Sequence, residues 1–210
     1  MWGQLATCLD LSFAVGLLAR FQANPGMDHW KALLHVVGYI RNTIDFRITY
    51  SRDGDLNPIA YADTDYGGCR NTRQSTSGYV FTMAGGPVTW SSKWQVTMAL
   101  STIEAEYVAM SWCAQQKVWT QSWPEEVDID FVKPGVIKGD SRGGIALMKN
   151  TRDHGKIMHI DICHHYLRDL VWSGDIAFEQ VPSADNLADL FIKPLAHDHH
   201  IRLLHGLNIG

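Results

Sequence analysis

STIEAEYVAM, from Ser101 to Met110, follows a strand-like run and opens a long helix that continues to about Trp119. Its two carboxylates are made inequivalent by helical geometry. At about 100° per residue, Glu106 points the same way as Ile103, Met110 and Cys113. Glu104 points almost opposite, with Val108, Ser111 and Gln115. A carboxylate on the apolar stripe of a helix is costly to bury unless a cation meets it there. Glu106 therefore calls for a partner, whereas Glu104 reads as a solvated neighbour.

The flanking sequence surrounds this helix with strands. PIAYADTDYGG reads as a strand in which Ile59, Tyr61, Asp63 and Asp65 share one face. TSGYVFTMAGGPVTW reads as a hairpin turning at Gly85-Gly86, and SSKWQVTMAL carries the third strand towards Ser101. Beyond the helix, PGVIKGD is a short strand ending in Asp140, with a helix starting at SRGGIALMKN. A helix over residues 158–173 comes next, then the strand DIAFEQVP and a last helix, capped by Ser183, that carries Asp185 and Asp189. Hairpins that feed β-α-β connections predict an α/β fold, a mixed sheet covered by helices.

The first 50 or so residues have another character. Leu11, Ala14, Val15, Leu18 and Phe21 recur at helical spacing. After the Pro25-Gly26 turn, Asp28 is a candidate cap for a helix that places Trp30, Leu33, Leu34, Val37 and Ile40 on one face. FRITY, from Phe46 to Tyr50, alternates like a strand. This unit, separable from the strands C-terminal to it, is too small to stand alone and reads as the end of a neighbouring domain.

The 210 residues are 46% hydrophobic and 19% charged, an ordinary globular composition. A net charge of -4 and an isoelectric point near 6.2 do not advertise a nucleic-acid binder. Local charge decides binding, however, and metal sites need acids. Cys8, Cys69, Cys113 and Cys163 are dispersed without a CxxC pair, as reduced thiols are. LSFAVGLLA is too short and too poorly flanked for a signal peptide or a membrane span. The expectation is an intracellular protein without a membrane partner.

Strand-terminal acids converge at one edge of an α/β sheet. Asp63, Glu106, Asp140 and Asp189 would provide oxygen ligands alone, which suits a hard cation such as Mg²⁺ or Mn²⁺. Two such ions about 4 Å apart can activate water and stabilise the leaving oxygen of a phosphodiester. A dication would also neutralise Glu106. Taken singly, each acid reads more readily as a cap, a turn residue or a solvated charge than as a ligand.

In order and spacing, YADTDYGG, RQSTSGYVF, VTWSSKWQVTMALSTIEAEYVAM, GDSRGGIAL, HIDICHHYLRD and NLADLFIKPL resemble the ribonuclease H domain of copia-type retrotransposon polyproteins. LSFAVGLLARFQANPGMDHWKALLHVVGYIRNT resembles the end of the reverse transcriptase in the same polyproteins. The resemblance implies a ribonuclease H-like fold with a five-stranded mixed sheet. It also implies residues 1–52 as the tail of a truncated reverse transcriptase, 56–196 as the ribonuclease H-like domain and 197–210 as a C-terminal tail. The implied activity is divalent-metal-dependent cleavage of the RNA strand of an RNA–DNA hybrid, leaving 3′-hydroxyl and 5′-phosphate ends.

The same resemblance implies Asp63, Glu106, Asp140 and Asp189 as the catalytic carboxylates holding two Mg²⁺ or Mn²⁺ ions, with Asp63 preferred over Asp65. Asp63 and Asp140 would hold both ions, Glu106 the leaving-group side and Asp189 the side of the attacking water. The implied partners are the hybrid and the other polyprotein domains, reverse transcriptase and integrase. The implied setting is the cytoplasm, in a virus-like particle for an intact element, or the nucleus. Thr7-Cys8-Leu9-Asp10, Met158 and Ile192 depart from the family pattern. They support an alternative: an inactive relic or co-opted nucleic-acid-binding module that keeps the fold.

Trp90, Lys93 and Trp94 are candidates to hold a hybrid by stacking and phosphate contact, and core packing of the tryptophans is the other reading. Arg70 and Arg73 read as phosphate contacts or as a solvated loop. His154, His159, Cys163, His164 and His165 invite a zinc hypothesis, but their spacing matches no recognised finger. His197, His199, His200 and His205 read as solvent-exposed.

Overall fold

The structure is a computed structural model and describes residues 2–69, 71–121, 131–149 and 161–210. Alternating apolar and polar residues form β1 (Ile59–Asp65), β2 (Thr76–Met83) and β3 (Gly86–Trp94), an antiparallel meander. Two shorter strands, β4 (Gly135–Gly139) and β5 (Ile176–Gln180), join in parallel, giving one five-stranded sheet ordered β3-β2-β1-β4-β5. This is the expected mixed α/β sheet. The hairpin turns one residue earlier than expected, at Ala84 and Gly85, which both have positive φ. Gly86 instead pairs with Met83 as the first residue of β3.

Seven α-helices are described: α1 (Trp2–Ala6), α2 (Ser12–Ala19), α3 (Met27–Asn42), α4 (Thr102–Thr120), α5 (Arg142–Lys149), α6 (Asp161–Trp172) and α7 (His197–Gly206). One sheet face carries α4, whose Tyr107, Met110 and Cys113 pack with Ala60, Ala62, Phe81, Ile137 and Phe178. The other face buries Val80 with Leu9, Leu187, Phe191, Leu203 and Leu204. Val80 and Phe81 are adjacent in β2 and serve opposite layers, as strand alternation demands.

The second layer joins the two ends of the chain to the sheet. Leu9 is 1% exposed within it, and the indole N–H of Trp90 donates to the Gln4 carbonyl at 2.7 Å. Residues 46–50, expected as a strand, make only an isolated bridge between Ile48 and Ile209, with Thr49 N–H donating to the Asn208 carbonyl. Gly26, not Asp28, precedes α3 as its cap residue. The apolar face of α3 is present but open to solvent, with Trp30, Leu34 and Val37 each about half exposed. His200 is half-buried, not solvent-exposed as expected, because its ring packs edge-on against Tyr39 and reaches the phenol oxygen at 3.2 Å.

The last expected helix is absent as such. Ser183–Asp185 and Leu187–Phe191 are two short 3₁₀ turns. Asn186 separates them in an extended conformation, which breaks helical continuity, and its side chain accepts from the Ala188 N–H to cap the second turn. Ser183 caps neither turn.

Candidate metal centre

Asp63 lies near the end of β1, paired across the ladder with Gly78, and is 4% exposed. Its Oδ1 accepts from the Thr64 N–H at 2.8 Å. Asp140 follows β4 directly and accepts a hydrogen bond from the Ser183 hydroxyl. The serine expected as a helix cap thus orients a carboxylate. Glu106 projects from the first turns of α4. Its neighbours on the same stripe, Met110 and Cys113, are fully buried, in line with the helical phase read from the sequence.

These elements bring one carboxylate oxygen each from Asp63, Glu106 and Asp140 within 4.8 Å of one another. Asp65 shares the strand face of Asp63 but is not in this group. Asp189, 2% exposed on the second 3₁₀ turn, lies close enough to Asp63 to push its carboxyl upward. Its other contact is an ion pair with Lys193 at 2.7 Å. Asp189 reaches Asp63 because β2 has no side chain at Gly78. A Cβ there would stand 2.6 Å from the Phe191 Cβ and 2.8 Å from the Ile192 Cγ2. Asn186, fully buried, donates to the Ala62 carbonyl at 3.3 Å and ties this turn to β1.

Electrostatically the acids outnumber the cations, with the Lys193 ammonium set against Asp189. Burial, then the neighbouring Asp189 carboxyl and the charges of Asp140 and Glu106, push the Asp63 carboxyl far above its ordinary range. Burial and the charge of Asp140 raise Glu106 to about 8, against a lowering by Lys193. Glu106 Oε2 is buried without a hydrogen-bond partner. A buried carboxylate with an orphaned oxygen, grouped with two further carboxylates, is what a hard dication with oxygen ligands would satisfy, so the residues present fit Mg²⁺ or Mn²⁺.

Three features of the centre went unread in the sequence. Gln95, 1% exposed, donates from Nε2 to Ser77 Oγ and the Ala105 carbonyl at 2.8 Å each. With a longer contact of 3.4 Å to Thr64 Oγ1, it ties the start of α4 to β2 and β1 at the residues next to Glu106 and Asp63. Glu104 is not merely solvated. Its carboxylate accepts from the Leu100 N–H at 2.6 Å while Ser101 Oγ accepts from the Glu104 N–H. The Ser-x-x-Glu spacing of a capping box was the available signal. Lys193 had no signal, since a lysine four residues from an aspartate is common on surfaces.

The other candidates sit apart from the carboxylates. Trp90 and Trp94 lie under the N-terminal segment, Trp90 bonded to Gln4 and Trp94 covered by the Arg20 guanidinium 3.3 Å from its ring centroid. Lys93, on the opposite strand face, is exposed, with its ammonium 5.4 Å from the Trp112 ring. Arg73 is exposed in the β1–β2 loop. Arg70, His154 and His159 lie outside the described residues, as does the side chain of His164. Among the described residues, Asp63, Glu106 and Asp140 are the ligand group found, and no helix is long and apolar enough to cross a membrane.

No protein-family model matches the chain. It is 34% identical over 195 residues, 92% of its length, to the retrovirus-related Pol polyprotein from transposon TNT 1-94 of Nicotiana tabacum. It is 35% identical over 89% of its length to that from transposon RE2 of Arabidopsis thaliana. These matches span 14% and 13% of the polyproteins, so the chain corresponds to about a seventh of their length. Over 57% of the chain it is 41% identical to secreted RxLR effector protein 161 of Plasmopara viticola, covering 84% of that protein. Among solved structures, LC11-RNase H1 isolated from compost aligns with 65% of this chain and 93% of its own, at 19% identity and a TM-score of 0.49. Over about nine-tenths of its length the chain is thus homologous to a segment of the retrovirus-related Pol polyproteins of plant transposons.

Proposed function

We propose that this chain is the ribonuclease H segment of a transposon Pol polyprotein and hydrolyses the RNA strand of RNA–DNA hybrids with divalent metal. The observation that carries this reading is the convergence of Asp63, Glu106 and Asp140 within 4.8 Å around the unpartnered Glu106 Oε2. The resemblance of the sequence blocks around each acid to copia-type ribonuclease H domains supports the same assignment. In this reading residues 1–52 are the end of the reverse transcriptase, 56–196 the nuclease unit and 197–210 its C-terminal end. The remaining polyprotein domains are its partners.

Asp63 and Asp140 would hold both of two Mg²⁺ or Mn²⁺ ions, Glu106 the one on the leaving-group side and Asp189 the one on the side of the attacking water. When bound, such ions supply Lewis-acid charge to the phosphodiester and lower the pKa of water. The protein's own contribution is positioning. Ser183 fixes one oxygen of Asp140, the Thr64 N–H fixes one of Asp63, and Asn186 and Gln95 lock the turn and the helix that carry Asp189 and Glu106. Exposed Lys93 and Arg73 are suited to phosphate contact. Trp90 and Trp94 already have partners in the N-terminal segment, so stacking is not assigned to them. Recognition through 2′-hydroxyls and duplex shape predicts cleavage without sequence preference.

The test is cleavage of an end-labelled RNA–DNA hybrid in Mg²⁺ or Mn²⁺. The expected result is metal-dependent cleavage that Asp140→Asn abolishes. No cleavage by the wild-type chain, or equal cleavage by Asp140→Asn, rejects the reading. Metal-independent hybrid binding without cleavage is the signature of the inactive, co-opted module.

A further inference from the structure

Three carboxylates form the compact ligand group, and Asp189 is not one of them. Its Oδ1 lies 2.7 Å from Nζ of Lys193, four residues on, in a pair whose aspartate side chain is 3% exposed and whose lysine is 40% exposed. The Lys193 charge acts on more than Asp189. It interacts with Asp63 and Asp140, and with Glu106 and Asp65. Its contact is with Asp189, and its charge is felt by the other acids of the pocket.

An ammonium and a hard dication compete for the same carboxylate oxygens. Both cannot sit within bonding distance of one buried carboxylate without strong mutual repulsion. Asp189 is enclosed and has no escape to water, but Lys193 has one, because its flexible stem is partly exposed. We propose that Lys193 is a tethered competitor for divalent metal: its ammonium occupies Asp189 until a dication displaces it, so this lysine sets the metal affinity of the Asp189 side of the centre. Tethering four residues away holds the ammonium at high effective concentration, so the competition acts at any protein concentration. The proposal deepens the metal-site reading and rests on it.

Calorimetric titration of the full 210-residue chain with MgCl₂ tests it, comparing wild type, Lys193→Met, Lys193→Arg and the double variant Lys193→Met/Asp189→Asn. Removing a unit charge beside the ligand oxygen should tighten Mg²⁺ binding in Lys193→Met by about tenfold or more. Lys193→Arg keeps the charge and should stay close to the wild type. The double variant should lose the gain, because the contested ligand is gone. In thermal melts, saturating MgCl₂ should raise the midpoint of Lys193→Met more than that of the wild type. A purely structural lysine would weaken binding when removed, the opposite sign. Saturable Mg²⁺ uptake that Lys193→Met leaves unchanged or weakens overturns the competition while the metal site stands. Absence of saturable uptake in both wild type and Lys193→Met overturns both.

Discussion

Replacing Glu106 by glutamine should stabilise the metal-free protein while destroying its response to metal. The unfolded chain ionises this carboxyl near 4.5, but burial and the charge of Asp140 hold it protonated to about 8 in the folded chain. Between those values the folded state binds more protons than the unfolded one, so stability falls as pH rises through the window. Taken at pH 7, this amounts to up to about 3 kcal/mol lost from the metal-free fold. Glutamine has nearly the same shape and no charge to desolvate, so Glu106→Gln escapes the loss. For a chain of this size the gain corresponds to a rise in melting midpoint of about 6–12 °C near pH 7, shrinking towards zero as pH falls below about 4.5 and the carboxyl becomes neutral in both states. With saturating MgCl₂ the order should reverse, because only the wild type gains from binding. Differential scanning calorimetry of both proteins in EDTA and in MgCl₂, across this pH range, reads all of these terms. A Glu106→Gln midpoint at or below wild type in EDTA at pH 8 refutes the desolvation argument, and an equal MgCl₂ response in the two proteins refutes a role of Glu106 as ligand.

Gly78→Ala should cost about 1–3 kcal/mol through overpacking, since its Cβ would meet Phe191 and Ile192. It should also weaken Mg²⁺ binding by pushing the turn of Asp189 from Asp63, whereas an unaltered titration would show that the close approach is not needed. Lys117 is 1% exposed, donates to the Pro58 carbonyl, and is lowered by burial to about 8. Between about 8 and 10.5 the unfolded state binds more protons, so this lysine makes stability rise with pH there. Denaturant unfolding of Lys117→Met should lack that rise, and an unchanged pH slope would contradict the burial of an ammonium at this site.

Helical phase alone put Glu106 among Met110 and Cys113 and away from Glu104, because 3.6 residues per turn is a local property that no tertiary contact alters. Strand alternation in Ile59–Asp65, the hairpin and the two later strands were legible for the same reason, and with them the five-stranded mixed sheet. What alternation could not do was separate Asp63 from Asp65, which share a face. The resemblance prefers Asp63, and β4 and α4, distant in sequence, place Asp140 and Glu106 in one group with Asp63 and not with Asp65. Asp189 lies on a 3₁₀ turn and not on the expected helix, since Asn186 interrupts the helix to bond to β1 and cap its own turn. The roles of Gln95, Ser183 and Lys193 depend on hydrogen bonds and ion pairs whose partners lie on other elements or whose burial local sequence does not encode. Periodicity thus determined which side chains face inward. Only the tertiary packing decided which of those inward charges meet, because a carboxylate's partner is set by distance in space and by the low dielectric of the site that encloses both.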